Sequence, residues 1–162
     1  MKRIEPGAGQ ISVWDFPRPP ALQAVGDRVT ITYDGRTLCD TTAAHRVLET
    51  SHPPTYYLPR EDFDESMLRP AEGGSFCEWK GMARYWDVVS GDRFEPRVAW
   101  SYPTPTPGFE AIRDHLAVYC GPMDRCTVGG HVAGPQPGGF YGGWVTPEVV
   151  GPFKGGPGTM GW

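Results

Sequence analysis

Glycine and proline interrupt this chain so often, at 22 and 18 of its 162 residues, that short strands joined by many turns are the architecture it best supports. Such punctuation alone would suit a low-complexity chain. Twenty aromatic residues (six Trp, seven Tyr and seven Phe) argue otherwise, because they supply ample material for a core. A chain of 162 residues is a normal single domain and buries roughly two thirds of its unfolded surface, so it needs no covalent or metal staple.

Charge and cysteine usage narrow the classes. Fifteen basic residues stand against 19 acidic ones, a formal charge of −4 with no basic cluster, so binding to nucleic acid or to an anionic membrane is not expected. The N-terminal MKRIEPGAGQ has no apolar run of the secretory kind, and no stretch is long enough to span a bilayer, which predicts a cytoplasmic protein. Cys39, Cys77, Cys120 and Cys126 form no C-x-x-C pair, so neither a zinc site nor any other metal or cofactor is expected. Four buried thiols are the simpler reading.

Three regions follow from composition: an extended arm over 1–24, a β domain over 25–133 and a wrapping tail over 134–162. In the arm, VWDFPRPP excludes helix and offers Trp14 and Phe16 as anchors. Val29, Ile31 and Tyr33 alternate with polar neighbours, and Asp34-Gly35 then predicts a hairpin into Arg36–Asp40. Thr41–Glu49 reads either as a short helix capped by Thr42 or as a strand alternating His45, Val47 and Glu49. Thr55–Leu58 and Asp92–Tyr102 read as strands, with Glu61–Leu68 a polar loop or a single helical turn between them. Thr106-Pro107 is an N-cap and first-turn pair that predicts the clearest helix of the chain, with Phe109, Ile112 and Leu116 on one stripe. Gly129-Gly130 joins a last hairpin, and in the tail Phe140, Tyr141, Trp144, Phe153 and Trp162 predict rings inserted at intervals.

The chemistry concentrates in GGSFCEWKGMARYWD, residues 73–87. If Phe76–Lys80 and Met82–Asp87 are strands joined at Gly81, alternation puts Phe76, Glu78 and Lys80 on one face and Cys77 and Trp79 on the other. On that geometry Cys77 and Lys80 cannot act together, and Cys77 is a core thiol.

The runs AHRVLETSHPPTYYLPREDF, SFCEWKGMARYWDV, AWSYPTPTPGFEAIRDHLAVY and PQPGGFYGGW together resemble the DUF427 family, small bacterial and fungal proteins without an established function. The resemblance covers roughly residues 25–120, and the arm and tail look like those of its longer, actinobacterial-type members. The family's Cys-Pro-aromatic-Lys-Gly pattern falls on Cys77, Glu78, Trp79, Lys80 and Gly81, with Glu78 in place of the proline. The resemblance implies a β-tent fold, two small antiparallel sheets leaning together, as in zinc-bearing relatives such as methionine sulfoxide reductase B. Zinc does not carry over, since the C-x-x-C pairs are missing. The family also bears a nucleotidyltransferase-like label.

Two function classes remain. A binding module would hold a small organic or anionic ligand in an aromatic cleft between the sheets, with Arg46, Tyr57, Trp79, Lys80, Trp100 and Tyr102 as its contacts. An enzyme would use Cys77 as a thiol nucleophile, or a carboxylate such as Glu49. Arg46 and Glu49 would pair plainly if they lay on a helix, and His52 is either a base or an ordinary loop histidine. No phosphate-binding glycine loop occurs, because GPFKGGPG at 151–158 lacks a strand before it and a helix after it.

Overall fold

The computed structural model describes residues 1–162. Its strands are β1 (Ile11–Ser12), β2 (Ala21–Val25), β3 (Val29–Tyr33), β4 (Arg36–Thr41), β5 (Ala44–Leu48), β6 (Thr55–Tyr57), β7 (Leu68–Cys77) and β8 (Gly81–Ser90). They continue with β9 (Arg93–Ser101), β10 (Leu116–Val118), β11 (Arg125–Val128), β12 (His131–Val132), β13 (Gly134–Pro135), β14 (Trp144–Val145) and β15 (Val149–Val150). The class is therefore mainly β, as the sequence predicts. No helix is long and apolar enough to cross a membrane.

Two four-stranded sheets, ordered β10-β9-β8-β7 and β12-β11-β3-β4, and a three-stranded sheet β2-β5-β6 carry the body. Both predicted glycine hairpins form for the same reason. Asp34 and Gly35 have φ of 53° and 69°, and Gly129 and Gly130 have 57° and 83°, the left-handed pair that a tight turn matched to strand twist requires. Thr41–Glu49 resolves as strand, and Glu61–Leu68 as parts of two 3-10 turns, Arg60–Asp62 and Glu65–Met67.

The helix expected over Phe109–Leu116 is absent. Only Glu110–Ile112 makes one 3-10 turn, and Leu116 already belongs to β10. A helix this short cannot recover its nucleation cost. Leu116 instead pairs with Ser101, while Asp114, at φ 56°, turns the chain out of helical geometry. Phe109 and Ile112 stay buried as the stripe predicts, without the helix.

Leu58 and Leu116 exchange backbone hydrogen bonds of 2.9 and 2.8 Å, which stitches β6 to β10 and joins the three-stranded sheet to the β10-β9-β8-β7 sheet. Alternation then sorts the faces. Tyr56, Trp86, Val88 and Ala99 point to the main core, where they meet Val29, Ile31 and Tyr33. Tyr57, Ala83, Trp100 and Tyr102 point the other way, to a second apolar cluster that forms one wall of a cleft.

The two ends of the chain hold each other. β1 pairs in parallel with β15, Trp14 Nε1 donates to the Pro152 carbonyl at 2.9 Å, and the Trp14 and Trp162 rings meet at 5.4 Å. β2, whose first four residues fall in the stretch read as arm, instead pairs with β5 at the edge of the three-stranded sheet. Among the tail aromatics Trp144 is buried to 1% exposure, whereas Phe140 remains 74% exposed.

Candidate functional site

The turn after β7 is where structure and sequence expectation part most usefully. Cys77 pairs with Gly81, so β7 ends at Cys77 and Glu78, Trp79 and Lys80 form the loop. Gly81 opens β8 rather than making the turn. Its φ of 108° and the Thr104 carbonyl, 3.1 Å from where a Cβ would stand, both require glycine. The proline-rich link 103–107 buttresses the loop: Thr106 N donates to the Lys80 carbonyl at 3.1 Å, and Thr106 Oγ1 donates to the Trp79 carbonyl. Loop residues do not alternate as strand residues do, so Cys77, Trp79 and Lys80 all line one cleft, with Cys77 near enough to Lys80 to raise its pKa. The expectation that Cys77 and Lys80 face apart, with Cys77 in the core, is corrected. Only Cys39, Cys120 and Cys126 are buried.

The cleft encloses about 490 Å³. Ser75, Ala83, Tyr85 and Trp100 come from the four-stranded sheet, Val47 and Tyr57 from the three-stranded one, and Phe140, Tyr141, Gly142 and Lys154 from the tail. The tail is seated closely, since a Cβ on Gly142 would collide with the Trp100 indole. Tyr119 Oη holds it by donating to the Phe140 carbonyl at 2.7 Å. Another cavity, of about 550 Å³, lies between Gly9, Asp27, His131 and Glu148, but it has no aromatic wall.

Polar groups converge on the cleft. Trp100 Nε1 donates to Tyr57 Oη at 3.4 Å, and the Tyr57 and Tyr102 rings lie 6.1 Å apart. Burial raises the pKa of Tyr57 and Tyr102, so both are neutral hydroxyls. Burial by itself would lower the Lys80 pKa. The neighbouring Tyr57, Cys77 and Glu49 outweigh it and hold Lys80 above the ordinary lysine value, so the cleft lining carries an ammonium. No group of three His, Cys, Asp or Glu side chains is arranged to hold a metal ion.

At one side of the cleft Glu49 Oε2 lies 3.6 Å from His52 Nε2 and 3.5 Å from an Arg18 nitrogen. Burial pushes the His52 pKa below its usual value; Glu49 opposes this, and Lys154, Arg18 and Lys80 reinforce it. A histidine held neutral in the fold takes up a proton more readily once unfolded, so its contribution is complete above the unfolded value of 6.5 and is lost as pH falls below it. Melting temperature is therefore expected to drop on acidification below about 6.5 and to drop less steeply in His52→Gln. His45, lowered by its own burial and by His115, adds to the slope, and Asp34, Asp40 and Asp64, held low by their hydrogen-bond partners, add to it at more acidic pH. An identical acid limb in the variant would contradict this assignment.

Of the residues expected from sequence, the cleft gathers Tyr57, Trp79, Lys80, Trp100 and Tyr102 together with Cys77 and Glu49. Arg46 is not among them. On β5 it alternates with Val47 to the opposite face, where it bonds Gln23 at 2.7 Å and Glu148 at 3.0 Å, so it does not pair with Glu49. Lys154 and Tyr141 are contributions that sequence reasoning missed; a lone lysine and a tyrosine in a glycine-rich tail carry no signal of where the tail docks.

No curated protein matches the chain. Residues 21–129, well over half of its length, match the family described as a domain of unknown function, DUF427, and the chain belongs to that family.

Proposed function

We propose that the protein is a small-molecule binding module of the cytoplasm, with its ligand held in the aromatic cleft. In the β-tent reading this cleft is the space between the leaning sheets. The ligand class is a flat organic molecule bearing an anionic group. One observation carries this: Lys80, an ammonium, lines the same cleft as Tyr57, Trp79, Trp100 and Tyr102. Aromatic faces supply area and a single charge supplies orientation, which is how small-ligand pockets divide their work. The absence of a basic cluster in the sequence speaks against nucleic acid, and the lack of a phosphate-cradling glycine loop speaks against a nucleotidyltransferase-like activity.

A second reading has one observation in its favour. Lys80 and Cys77 line the same cleft, with Cys77 near enough to raise the Lys80 pKa, and an ammonium near a thiol is the arrangement that an enzyme with a cysteine nucleophile uses. A thermal-shift screen of aromatic carboxylates, followed by Cys77→Ser, separates the two. A ligand at a hundredfold excess over its Kd stabilises by about 2.7 kcal/mol. Under the binding reading Cys77→Ser binds the same hits with unchanged affinity. Under the enzyme reading it abolishes turnover, and a wild-type protein that consumes the hits would displace the binding reading.

A further inference from the structure

Gln136 belongs to the tail, outside the family match, and is 3% exposed. Two backbone groups with one role each fix its amide. The Gly143 N–H can only donate, and does so to Gln136 Oε1 at 3.1 Å; the Lys154 carbonyl can only accept, and does so from Gln136 Nε2 at 2.8 Å. The oxygen and nitrogen of this side chain are thereby distinguished. The second hydrogen of Nε2 is directed at His52 Nδ1, 3.0 Å away. Nδ1 must then accept, and the neutral imidazole carries its hydrogen on Nε2.

We propose that Gln136 is a positioning residue of the cleft, holding His52 as the Nε2–H tautomer so that this wall offers a hydrogen-bond donor to a carbonyl or carboxylate oxygen of the ligand. No hydrogen bond engages this donor: Glu49 Oε2 lies at 3.6 Å from Nε2, an ion-pair distance just beyond hydrogen-bond range. Tyr141 packs edge-on to the imidazole with ring centroids 4.7 Å apart. Protonation of Nδ1 would set two donors against each other across the Gln136 contact, and Lys154, Arg18 and Lys80 also disfavour the imidazolium, with Glu49 the one group opposing them. The meaning of this donor for a ligand rests on the cleft reading above, whereas the tautomer itself does not.

Long-range proton–nitrogen correlation spectra of the histidine rings in the full chain, near pH 7.5, test the proposal. The His52 signals are assigned by their loss in His52→Gln. The expected result is an unprotonated Nδ1 and a protonated Nε2 in the wild type. In Gln136→Glu a carboxylate faces Nδ1, and His52 is expected to gain a proton there, becoming imidazolium at a pH where the wild type is neutral. A wild-type His52 protonated on Nδ1 overturns the proposal, as does a folded Gln136→Glu protein with the wild-type pattern. If Gln136→Glu does not fold, the wild-type spectrum alone decides. Benzoate titrated into the same sample separates the two readings: a held tautomer with no benzoate response leaves the Gln136 assignment standing and counts against the cleft.

Discussion

Trp144→Ala is expected to lower the stability of the protein by about 3–5 kcal/mol, the range for truncating a large buried aromatic. At this chain length that corresponds to roughly 6–20 °C in melting temperature. Trp144 is 1% exposed, its ring packs 5.2 Å from that of Tyr56, and its Nε1 donates to the Val118 carbonyl at 2.9 Å. Truncation would open a cavity in the main core and leave a buried carbonyl without its donor. Because domains of this kind are stable by only about 5–15 kcal/mol, deleting 134–162 altogether should leave the remainder unfolded or nearly so. It removes Trp144, the β15 partner of β1 and the Gln136 contacts at once. Phe140→Ala is the control. Its ring is 74% exposed, and the hydrogen bond it receives from Tyr119 goes to its backbone, so a change within about 0.5 kcal/mol is expected. Denaturant unfolding of the three proteins checks the series. A truncated chain that melts with the wild type would show that the tail adds nothing to the core.

What the sequence made legible was local. Asp34-Gly35 and Gly129-Gly130 announced their hairpins because a two-residue turn imposes a backbone conformation that few residues accept. Burial of Phe109 and Ile112 was legible for a similar reason, since it depends on their apolar character rather than on a helix. The features that misled were those decided by partners distant in sequence. Thr106-Pro107 looked like a helix start, but Thr106 spends its amide and hydroxyl on the 79–80 turn, and β9 claims Leu116. Arg46 looked like a ligand contact, but β5 turns it to Gln23 and Glu148. Strand alternation predicted that Cys77 and Lys80 diverge, and it failed because the strand stops at Cys77. The Gln136–His52 contact joins residues 84 apart, and nothing in either neighbourhood points to the other.

Lys80→Met separates binding from stability more sharply than any other change in the cleft. Lys80 is largely desolvated, but its surroundings more than offset that cost and hold its pKa above the ordinary lysine value. Replacing it with an apolar side chain of similar length removes both the desolvation cost and the slightly larger stabilisation that offsets it. The melting temperature is therefore expected to hold or fall only slightly. Affinity should fall much further. An anionic ligand in contact with this ammonium loses its charge-assisted partner, at a cost of about 2–3 kcal/mol, or roughly 30- to 150-fold in Kd. Trp79→Ala probes the wall with a smaller stability cost than a core truncation, because its half-buried ring sits on the loop and only packs against the edge of the second apolar cluster. Trp100→Ala is a poorer probe: its indole is 9% exposed, packs 4.8 Å from the Tyr119 ring and touches the tail, so its loss confounds affinity with stability. Calorimetric titration of the strongest aromatic carboxylate from the screen into wild type, Lys80→Met and Trp79→Ala gives the comparison. If Lys80→Met binds as tightly as the wild type, the ammonium does not meet the ligand, and the anionic part of the proposed ligand class is wrong. If Trp79→Ala alone is unchanged, the ligand lies deeper, against Tyr57 and Tyr102, and the loop ring is only its cover.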